Sequence, residues 1–320
     1  MLRVIATLLI AFLSPIALIP CFIKIQKKYK VGQRIRQEGP DLHQHKSGTP
    51  TMGGIIIFFS VALSLLFFHP EDTIIYVSFI LMCSYGLVGF IDDIIKFYKG
   101  RSLGLKARNK IVLQLIISII FLYWYFQTAL FDQTIIIPFK SNSFPISSII
   151  YIPLVILIFL STTNAVNLTD GLDGLATGLI IIALLAFALI AFSQDKKDLA
   201  IFTLIITFSC AGFLLFNFHP ARIFLGDVGS LGLGGALATI AVFSNTELFL
   251  LLIGGVFVLE TLSVIIQVMS IQLNHKPVFL MSPLHHHFEM MKWKEVHIVI
   301  MFWIVGLVFA LLGLLAYQYY

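Results

Sequence analysis

Long apolar segments follow one another along almost the whole chain, with short polar loops between them. A helix that crosses about 30 Å of hydrocarbon needs roughly 20 apolar residues. Ten segments meet or approach that length, and they cover residues 4–23, 54–69, 73–91, 111–131, 147–163, 175–193, 198–216, 229–244, 247–271 and 296–319. The pattern predicts an all-α polytopic integral membrane protein with about ten transmembrane helices, built as one transmembrane domain over residues 1–320.

Composition and charge placement support this prediction. Of the 320 residues, 59% are hydrophobic and 12% are charged, which excludes a disordered chain and a disulfide-stapled secreted domain. Of the 21 basic residues, all but Arg3, Lys140, Lys196 and Lys197 fall in the loops of one face. The positive-inside rule makes that face cytoplasmic and both termini periplasmic. The net charge of +5 is therefore explained by topology and by membrane lipid, and no nucleic acid is expected as a partner.

The unusual polar residues also gather in the loops of the predicted cytoplasmic face, while the outer loops are short and plain. Five polar clusters open there, within residues 46–54, 92–93, 164–174, 224–227 and 283–289. A functional site needs groups from several helices, whereas an isolated structural polar residue does not. The convergence predicts an active site on the cytoplasmic face.

Three aspartates stand where predicted helices meet the cytoplasmic loops. Asp92 and Asp93 are adjacent at the end of the third apolar segment, and Asp227 lies at the start of a later one. Adjacent carboxylates with apolar neighbours raise each other's proton affinity unless a cation relieves them. They predict a proton-accepting role or a magnesium site that takes its remaining ligands from substrate phosphates. The alternatives are a solvated helix end balanced by Lys96 and Lys99 and, for Asp227, an N-cap carboxylate.

Polar residues recur at every third position between the fifth and sixth apolar segments. They are Asn164, Asn167, Asp170 and Asp173. If this stretch is helical, the four side chains wind slowly along one face, where amides and carboxylates suit hydroxyl, amide or hydrated-magnesium contacts. The alternative is a capped turn between two spans.

Three consecutive histidines, His285, His286 and His287, follow a proline and predict a loop or the start of a helix. Successive imidazoles splay in different directions, so they do not easily share one metal ion. We predict phosphate contact or proton transfer for one or two of them. The prediction for His43, His45, His219, His275 and His297 is that they are interface residues.

Further polar residues flank these clusters. Lys46 opens a glycine-rich stretch that lacks the Gly-Lys-[Ser/Thr] order of a P-loop, which excludes an ATPase of that type. A lysine beside flexible backbone amides still favours an anionic ligand. Within the ninth segment, Glu260 and Gln267 lie seven residues apart on one face and are predicted to line the site or to pair with another helix.

An enzyme is not the only class that holds carboxylates at a membrane edge. A cation- or proton-coupled transporter does so too, but it is expected to carry charges near the midplane and gates on both faces. The polar clusters of this chain lie on one predicted face, which favours an enzyme. Flux in liposomes without chemistry would support the transporter.

The same motifs resemble those of the phospho-N-acetylmuramoyl-pentapeptide transferases, a branch of the polyprenyl-phosphate sugar-1-phosphate transferases. The likeness extends over nearly the whole chain and includes the ten-segment layout. The aspartate pair and the 164–174 segment are common to the wider group, whereas the run Pro-Leu-His-His-His-Phe-Glu at 283–289 is particular to the muramoyl-pentapeptide branch.

The resemblance implies a magnesium-dependent enzyme of the bacterial cytoplasmic (inner) membrane. It implies transfer of phospho-MurNAc-pentapeptide from UDP-MurNAc-pentapeptide to undecaprenyl phosphate, which forms lipid I and UMP in the first membrane step of peptidoglycan biosynthesis. It allows a homodimer without requiring one. The nearest alternative function is that of a sister transferase, which uses UDP-GlcNAc as the donor.

The resemblance also implies residue roles. The implied catalytic residues are Asp92, Asp93, Asp227, His285, His286 and His287, with the three aspartates also as magnesium ligands. The implied substrate-binding residues are Lys46, Thr51, Asn164, Asn167, Asp170, Asp173, Phe224 and Gln267. The expected mechanism is direct attack by the lipid phosphate, with Asp92 as base and Asp227 on magnesium. The alternative is a two-step route with an aspartate as covalent nucleophile.

Overall fold

The computed structural model describes residues 2–29, 32, 46–100, 103–128 and 130–320. The helices in chain order are α1 (Leu2–Lys28), α2 (Gly54–Phe68), α3 (Thr73–Lys99), α4 (Ala107–Phe126), α5 (Ser148–Thr169), α6 (Leu175–Ser193), α7 (Lys197–Asn217), α8 (Gly226–Phe243), α9 (Leu250–Ile253), α10 (Gly255–Asn274), α11 (Leu284–Met290) and α12 (Glu295–Gln318). Within the described ranges, nine of these helices are long and apolar enough to cross a membrane. The predicted all-α polytopic membrane fold is confirmed.

The second of the ten predicted segments, α2, is shorter than a typical span and is not among these nine helices. It has 15 residues, which at the rise of an α-helix gives about 22 Å, less than the hydrocarbon thickness. Its first residue, Gly54, packs against the backbone of Gly229 in α8, so the start of α2 is buried in protein. A short helix is sufficient there because the protein, and not lipid, surrounds its inner end.

The structure departs from the predicted segments in three places. The ninth segment, predicted as one helix over 247–271, is broken at Gly254 into α9 and α10, where two consecutive glycines lower helix propensity. Helices α3 and α5 continue beyond their predicted ends, so that Asp92, Asp93, Asn164 and Asn167 are helical. The outer loop after α4 forms an antiparallel hairpin of β1 (Thr134–Ile136) and β2 (Ser143–Pro145).

Helix α8 lies at the centre of the molecule and determines where the site forms. Every residue from Val228 to Phe243 is buried, and α3 and α5 pack along it. Small residues permit the close approach: a methyl group on Gly89 of α3 would collide with the carbonyl oxygen of Asp227. The end of α3 is thereby brought against the start of α8, which places three aspartates side by side.

The chain ends lie at the opposite end of the helices from the polar clusters. Arg3 at the start of α1 donates a hydrogen bond to the carbonyl of Phe67 at the end of α2, and Ala316 near the end of α12 accepts one from Phe139 in the outer hairpin loop. Both chain ends are thus on one face, as the alternation of spans predicts. That this face is periplasmic stays a prediction from the charge asymmetry.

A buried carboxyl group lies on that outer face, in the 3-10 turn between α8 and α9. Glu247 is 1% exposed; its Oε1 accepts a hydrogen bond of 2.9 Å from the Tyr151 hydroxyl, and its Oε2 has no partner among the described residues. Burial is the main cause that raises the pKa of Glu247 from 4.5 to about 7. The charge of Asp132 adds to the rise, while the backbone, Tyr151 and Lys196 oppose it.

This raised pKa predicts a pH-dependent contribution to stability. The folded protein holds the Glu247 proton up to about pH 7, whereas the unfolded chain releases it above about pH 4.5. The contribution is therefore complete below pH 4.5 and is lost as pH rises towards 7. We expect the thermal midpoint of wild type, measured in detergent, to fall relative to that of Glu247→Gln across this window. If the thermal midpoints of the two proteins changed with pH in parallel, the raised pKa of Glu247 would be contradicted.

Candidate active site

The three predicted aspartates come together at the junction of α3 and α8. Asp92 and Asp93 are buried, and one oxygen atom from each of Asp92, Asp93 and Asp227 lies within 4.8 Å of the others. Backbone N–H groups orient two of them: Leu105 donates to Asp92 Oδ1 at 2.7 Å, and Val228 donates to Asp93 Oδ2 at 3.1 Å. We call Asp92, Asp93 and Asp227 the acidic centre.

Two lysines and an asparagine surround the acidic centre. The ammonium group of Lys96 lies 2.7 Å from Asp92, 3.6 Å from Asp93 and 3.0 Å from Asp227. Lys110, at the start of α4, lies 3.1 Å from Asp227 and donates a hydrogen bond of 2.7 Å to the amide oxygen of Asn167. These contacts join the ends of α3, α4, α5 and α8 into one polar site.

Asn167 has a bridging position in this site. Its amide nitrogen donates to Asp227 Oδ1 at 3.1 Å and to the Ser230 hydroxyl at 2.9 Å, while its oxygen accepts from Lys110. Both ends of the amide are therefore fixed, and with them the orientation of the Asp227 carboxylate. Asn164, one turn earlier, donates to Gln114 and to the Leu160 carbonyl and lies farther into the helix bundle.

A second cluster lies where the loop after α5 meets the start of α12. Lys46 Nζ lies 2.7 Å from Asp173 Oδ1 and 2.6 Å from Glu295 Oε1. His219, two residues after the end of α7, places Nδ1 3.0 Å from Asp173 Oδ2 and 3.4 Å from Glu295 Oε2. We call Lys46, Asp173, His219 and Glu295 the lysine cluster. Sequence analysis placed His219 at an interface, whereas the structure places it in this cluster.

Asp170 lies between the acidic centre and the lysine cluster. Desolvation raises the pKa of its carboxyl well above the usual range, and the charges of Asp227, Asp93 and Asp173 raise it further. Asp173 behaves in the opposite way: burial alone would raise its pKa, but Lys46 holds it below the usual value. The pKa values of two aspartates only three residues apart are thus shifted in opposite directions, because one of them has a lysine partner.

The three consecutive histidines have three different environments, as predicted for successive imidazoles. His285 is buried, with Nδ1 3.1 Å from Glu260, and its Nε2 faces Gly171 without a partner among the described residues. His286 is paired with Glu289 at 2.6 Å. His287 uses Nδ1 to accept the backbone N–H of Leu280.

Three other predicted binding residues border the clusters. The backbone of Thr51 is held by the Gln26 side chain in both directions, with hydrogen bonds of 3.0 and 2.7 Å. The backbone of Phe224 pairs with the loop before α2, and its side chain is half-buried. The amide of Gln267 is engaged by the backbone of Val278 and Phe279 in the loop before α11.

Sequence reasoning missed the partners of these residues. Lys96 was considered only as a balancing charge at a solvated helix end, and the structure places its ammonium inside the acidic centre. No role was predicted for Glu295. Its place as an acidic residue at the start of an apolar segment, on the same face as the polar clusters, could have marked it as a candidate site residue. Glu260 was predicted to line the site or pair with another helix, and it pairs with His285 at the start of α11.

The fold and the site together define a membrane-embedded transferase. The family model described as glycosyl transferase family 4 matches residues 73–245, more than half of the chain. That range contains α3 to α8 and therefore the whole acidic centre. A phospho-N-acetylmuramoyl-pentapeptide-transferase signature matches residues 46–58, where Lys46 and Thr51 lie.

Curated relatives narrow this class to one family. The chain is similar to proteins named phospho-N-acetylmuramoyl-pentapeptide-transferase from Anoxybacillus flavithermus (46% identical; 95% of this chain and 95% of the relative), Shouchella clausii (47%; 96% and 95%) and Bacillus subtilis (45%; 96% and 96%). The chain belongs to the phospho-N-acetylmuramoyl-pentapeptide-transferase family. It is a multi-pass protein of the cytoplasmic membrane, and the resemblance stated from its motifs is confirmed.

Proposed function

We propose that this chain, acting as one transmembrane transferase domain over residues 1–320, transfers phospho-MurNAc-pentapeptide from UDP-MurNAc-pentapeptide to undecaprenyl phosphate. The products are lipid I and UMP, in the first membrane step of peptidoglycan biosynthesis. Family membership supports the choice of donor. The observation that carries the proposal is the acidic centre at the helix ends, where a phosphate at headgroup level can meet a soluble nucleotide donor.

The acidic centre fits a magnesium ion. Its donor set is three carboxylates, the hard oxygen ligands that magnesium prefers, with ligand atoms within 4.8 Å of one another. The ammonium of Lys96 already stands among them, as a cation would. When bound, magnesium would neutralise charge on the phosphoryl oxygens. Asp92, Asp93 and Asp227 are the residues that would hold it.

The proposed reaction is a direct displacement. An oxygen of the lipid phosphate forms a bond to the phosphorus that carries MurNAc, and the bond from that phosphorus to the UMP oxygen breaks. Exchange of one pyrophosphate for another is nearly isoenergetic, so the protein's task is to bring two polyanions together and to stabilise charge. Lys96 and Lys110, both within 3.1 Å of Asp227, supply positive charge for this.

Asp92 is the proposed base for the proton of the lipid phosphate. Its Oδ1 is held by the Leu105 N–H, which leaves Oδ2 to accept a proton once Lys96 turns away from its 2.7 Å contact. The Lys96 ammonium then pairs with a phosphate oxygen, so charge stays balanced. The rival two-step route would instead use an aspartate as a nucleophile, and it predicts exchange of labelled UMP into the donor when no lipid acceptor is present.

The nucleotide donor is proposed to lie across the lysine cluster. Lys46, Asp173 and the half-buried Phe224 would contact its nucleotide and sugar. Asp170 lies between this region and the acidic centre, and Asn167 contacts Asp227 directly. The histidines at 285–287 would contact phosphate or transfer protons from the side of α11. Within the described part of the chain, the proposed pocket residues lie at helix ends and in the loop residues next to them.

The test is a donor comparison with purified protein in lipid. With undecaprenyl phosphate and magnesium, UDP-MurNAc-pentapeptide is expected to give UMP and a lipid-linked product in equal amounts. UDP-GlcNAc, the donor of the sister transferases, is expected to give little or none. Preference for UDP-GlcNAc would reassign the chain within the wider transferase group, and no product from either donor would refute the proposed function.

A further inference from the structure

We infer that Glu295 is a positioning residue for donor binding, because it holds the Lys46 ammonium in a fixed place beside Asp173. The inference rests on the proposed function, in which Lys46 and Asp173 belong to the donor pocket. Glu295 is the first residue of α12, far along the chain from both. It is predicted to act through them and not by contact with the reacting phosphates.

Both carboxylate oxygens of Glu295 face the lysine cluster. Oε1 lies 2.6 Å from Lys46 Nζ and accepts the backbone N–H of Asp173 at 2.8 Å. Oε2 lies 3.4 Å from Nδ1 of His219. The side chains of Glu295 and Lys46 are 11% and 10% exposed, so water competes little for these contacts. One carboxylate therefore joins α12, the loop after α5 and the end of α7.

The two carboxylates fix the direction of the Lys46 ammonium. A lysine has three N–H donors, and within the described part of the chain two have acceptors, Asp173 Oδ1 at 2.7 Å and Glu295 Oε1 at 2.6 Å. A lysine with a single partner keeps more rotamer freedom than one held from two sides. Loss of Glu295 is therefore expected to loosen Lys46 without removing its charge, and to misdirect the third N–H that remains for a ligand.

Glu295 also orients Asp173 through the backbone. The Asp173 N–H donates to Glu295, while Asp173 Oδ2 accepts the N–H of Ala221 at 3.0 Å and lies 3.0 Å from His219 Nδ1. The main chain and the side chain of Asp173 are thus fixed from two sides. A purely structural role for Glu295 would instead predict equal damage to the use of both substrates.

The first experiment measures steady-state kinetics for both substrates with Glu295→Ala. We expect the KM for UDP-MurNAc-pentapeptide to rise about tenfold, the loss typical of a charge-assisted hydrogen bond, with kcat and the KM for undecaprenyl phosphate close to wild type. Glu295→Gln is expected to lose less, because its amide oxygen still accepts the Asp173 N–H. Glu247→Gln, a buried Glu→Gln change on the outer face, is the matched control and is expected to keep wild-type kinetics.

The second experiment is a double-mutant cycle with Lys46→Met. If Glu295 acts mainly through Lys46, adding Glu295→Ala to Lys46→Met raises the donor KM much less than Glu295→Ala raises it in wild type, because only the contact with the Asp173 N–H is still to be lost. Additive losses, an unchanged donor KM in Glu295→Ala, or equal rises for both substrates would overturn the inference. If Glu295→Ala does not fold, Glu295→Gln takes its place in the cycle with the same criteria. Wild type that makes no lipid product refutes the proposed function and the inference with it, whereas normal wild-type turnover with additive losses refutes the inference alone.

Discussion

Asp227→Asn is expected to reduce kcat by on the order of 10²–10³-fold while leaving the protein folded. The change keeps the shape of the side chain and its contact with Asn167, but removes the negative charge that faces Lys96 and Lys110. It also removes one of the three carboxylates that would hold magnesium. The measurement is lipid product formed per unit time at saturating substrates, with the thermal midpoint as a check on folding.

Asp195→Asn is the control for this change. Asp195 is an aspartate on the outer face whose side chain is 83% exposed and pairs only with Lys197 among the described residues. Removal of that surface charge is expected to leave turnover unchanged. Asp227→Asn with turnover close to wild type would contradict the site described above, even if family membership stands.

Lys46→Met is expected to damage both stability and donor binding. It leaves the buried carboxylate of Asp173 and the largely buried carboxylate of Glu295, whose side chain is 11% exposed, close together without their shared cation. Breaking a buried ion pair by removing one partner costs about 3–5 kcal/mol, and the thermal midpoint is expected to fall accordingly. The loss of a charged donor to the substrate is expected to raise the KM for the nucleotide donor at least about tenfold. Lys197→Met, at a side chain 71% exposed on the outer face, should change neither.

A second substitution tests the cause of the stability loss expected for Lys46→Met. Adding Glu295→Gln to Lys46→Met removes one of the two unpaired charges and is expected to restore part of the lost stability. Donor binding should not recover, because the ammonium is still absent. A double variant less stable than Lys46→Met alone would show that repulsion between the two carboxylates is not the cause of the loss.

Much of the acidic centre could be predicted because it depends on spans and sidedness. Asp92 and Asp93 follow the end of one apolar segment and Asp227 precedes the start of another, both on the predicted cytoplasmic face, so these carboxylates are expected to meet where the two helix ends pack together. Gly89 of α3 then permits the close contact with the start of α8. The roles of Lys96 and Lys110 were not predictable in the same way, since a lysine at a helix end reaches either solvent or a neighbour, depending on packing.

The lysine cluster could be predicted only in part. Lys46 and Asp173 were singled out, but their partners Glu295 and His219 come from distant parts of the chain, and only the packing of α12 and α7 brings them together. For Gln267, the sequence predicted the helix face that it shares with Glu260. Its contacts with Val278 and Phe279 could not be predicted, because they depend on the path of a loop. The break at Gly254 and the outer hairpin are local features that apolar periodicity does not report.

The central claim is that the acidic centre transfers phospho-MurNAc-pentapeptide to a lipid phosphate with magnesium bound. The most direct test follows UMP release and lipid product together in proteoliposomes, first with magnesium, then after chelation, and again after magnesium is restored. We expect equal amounts of the two products only when both substrates and magnesium are present, with activity lost on chelation and regained on readdition. UMP release without lipid product, or transfer that continues unchanged under chelation, would contradict it.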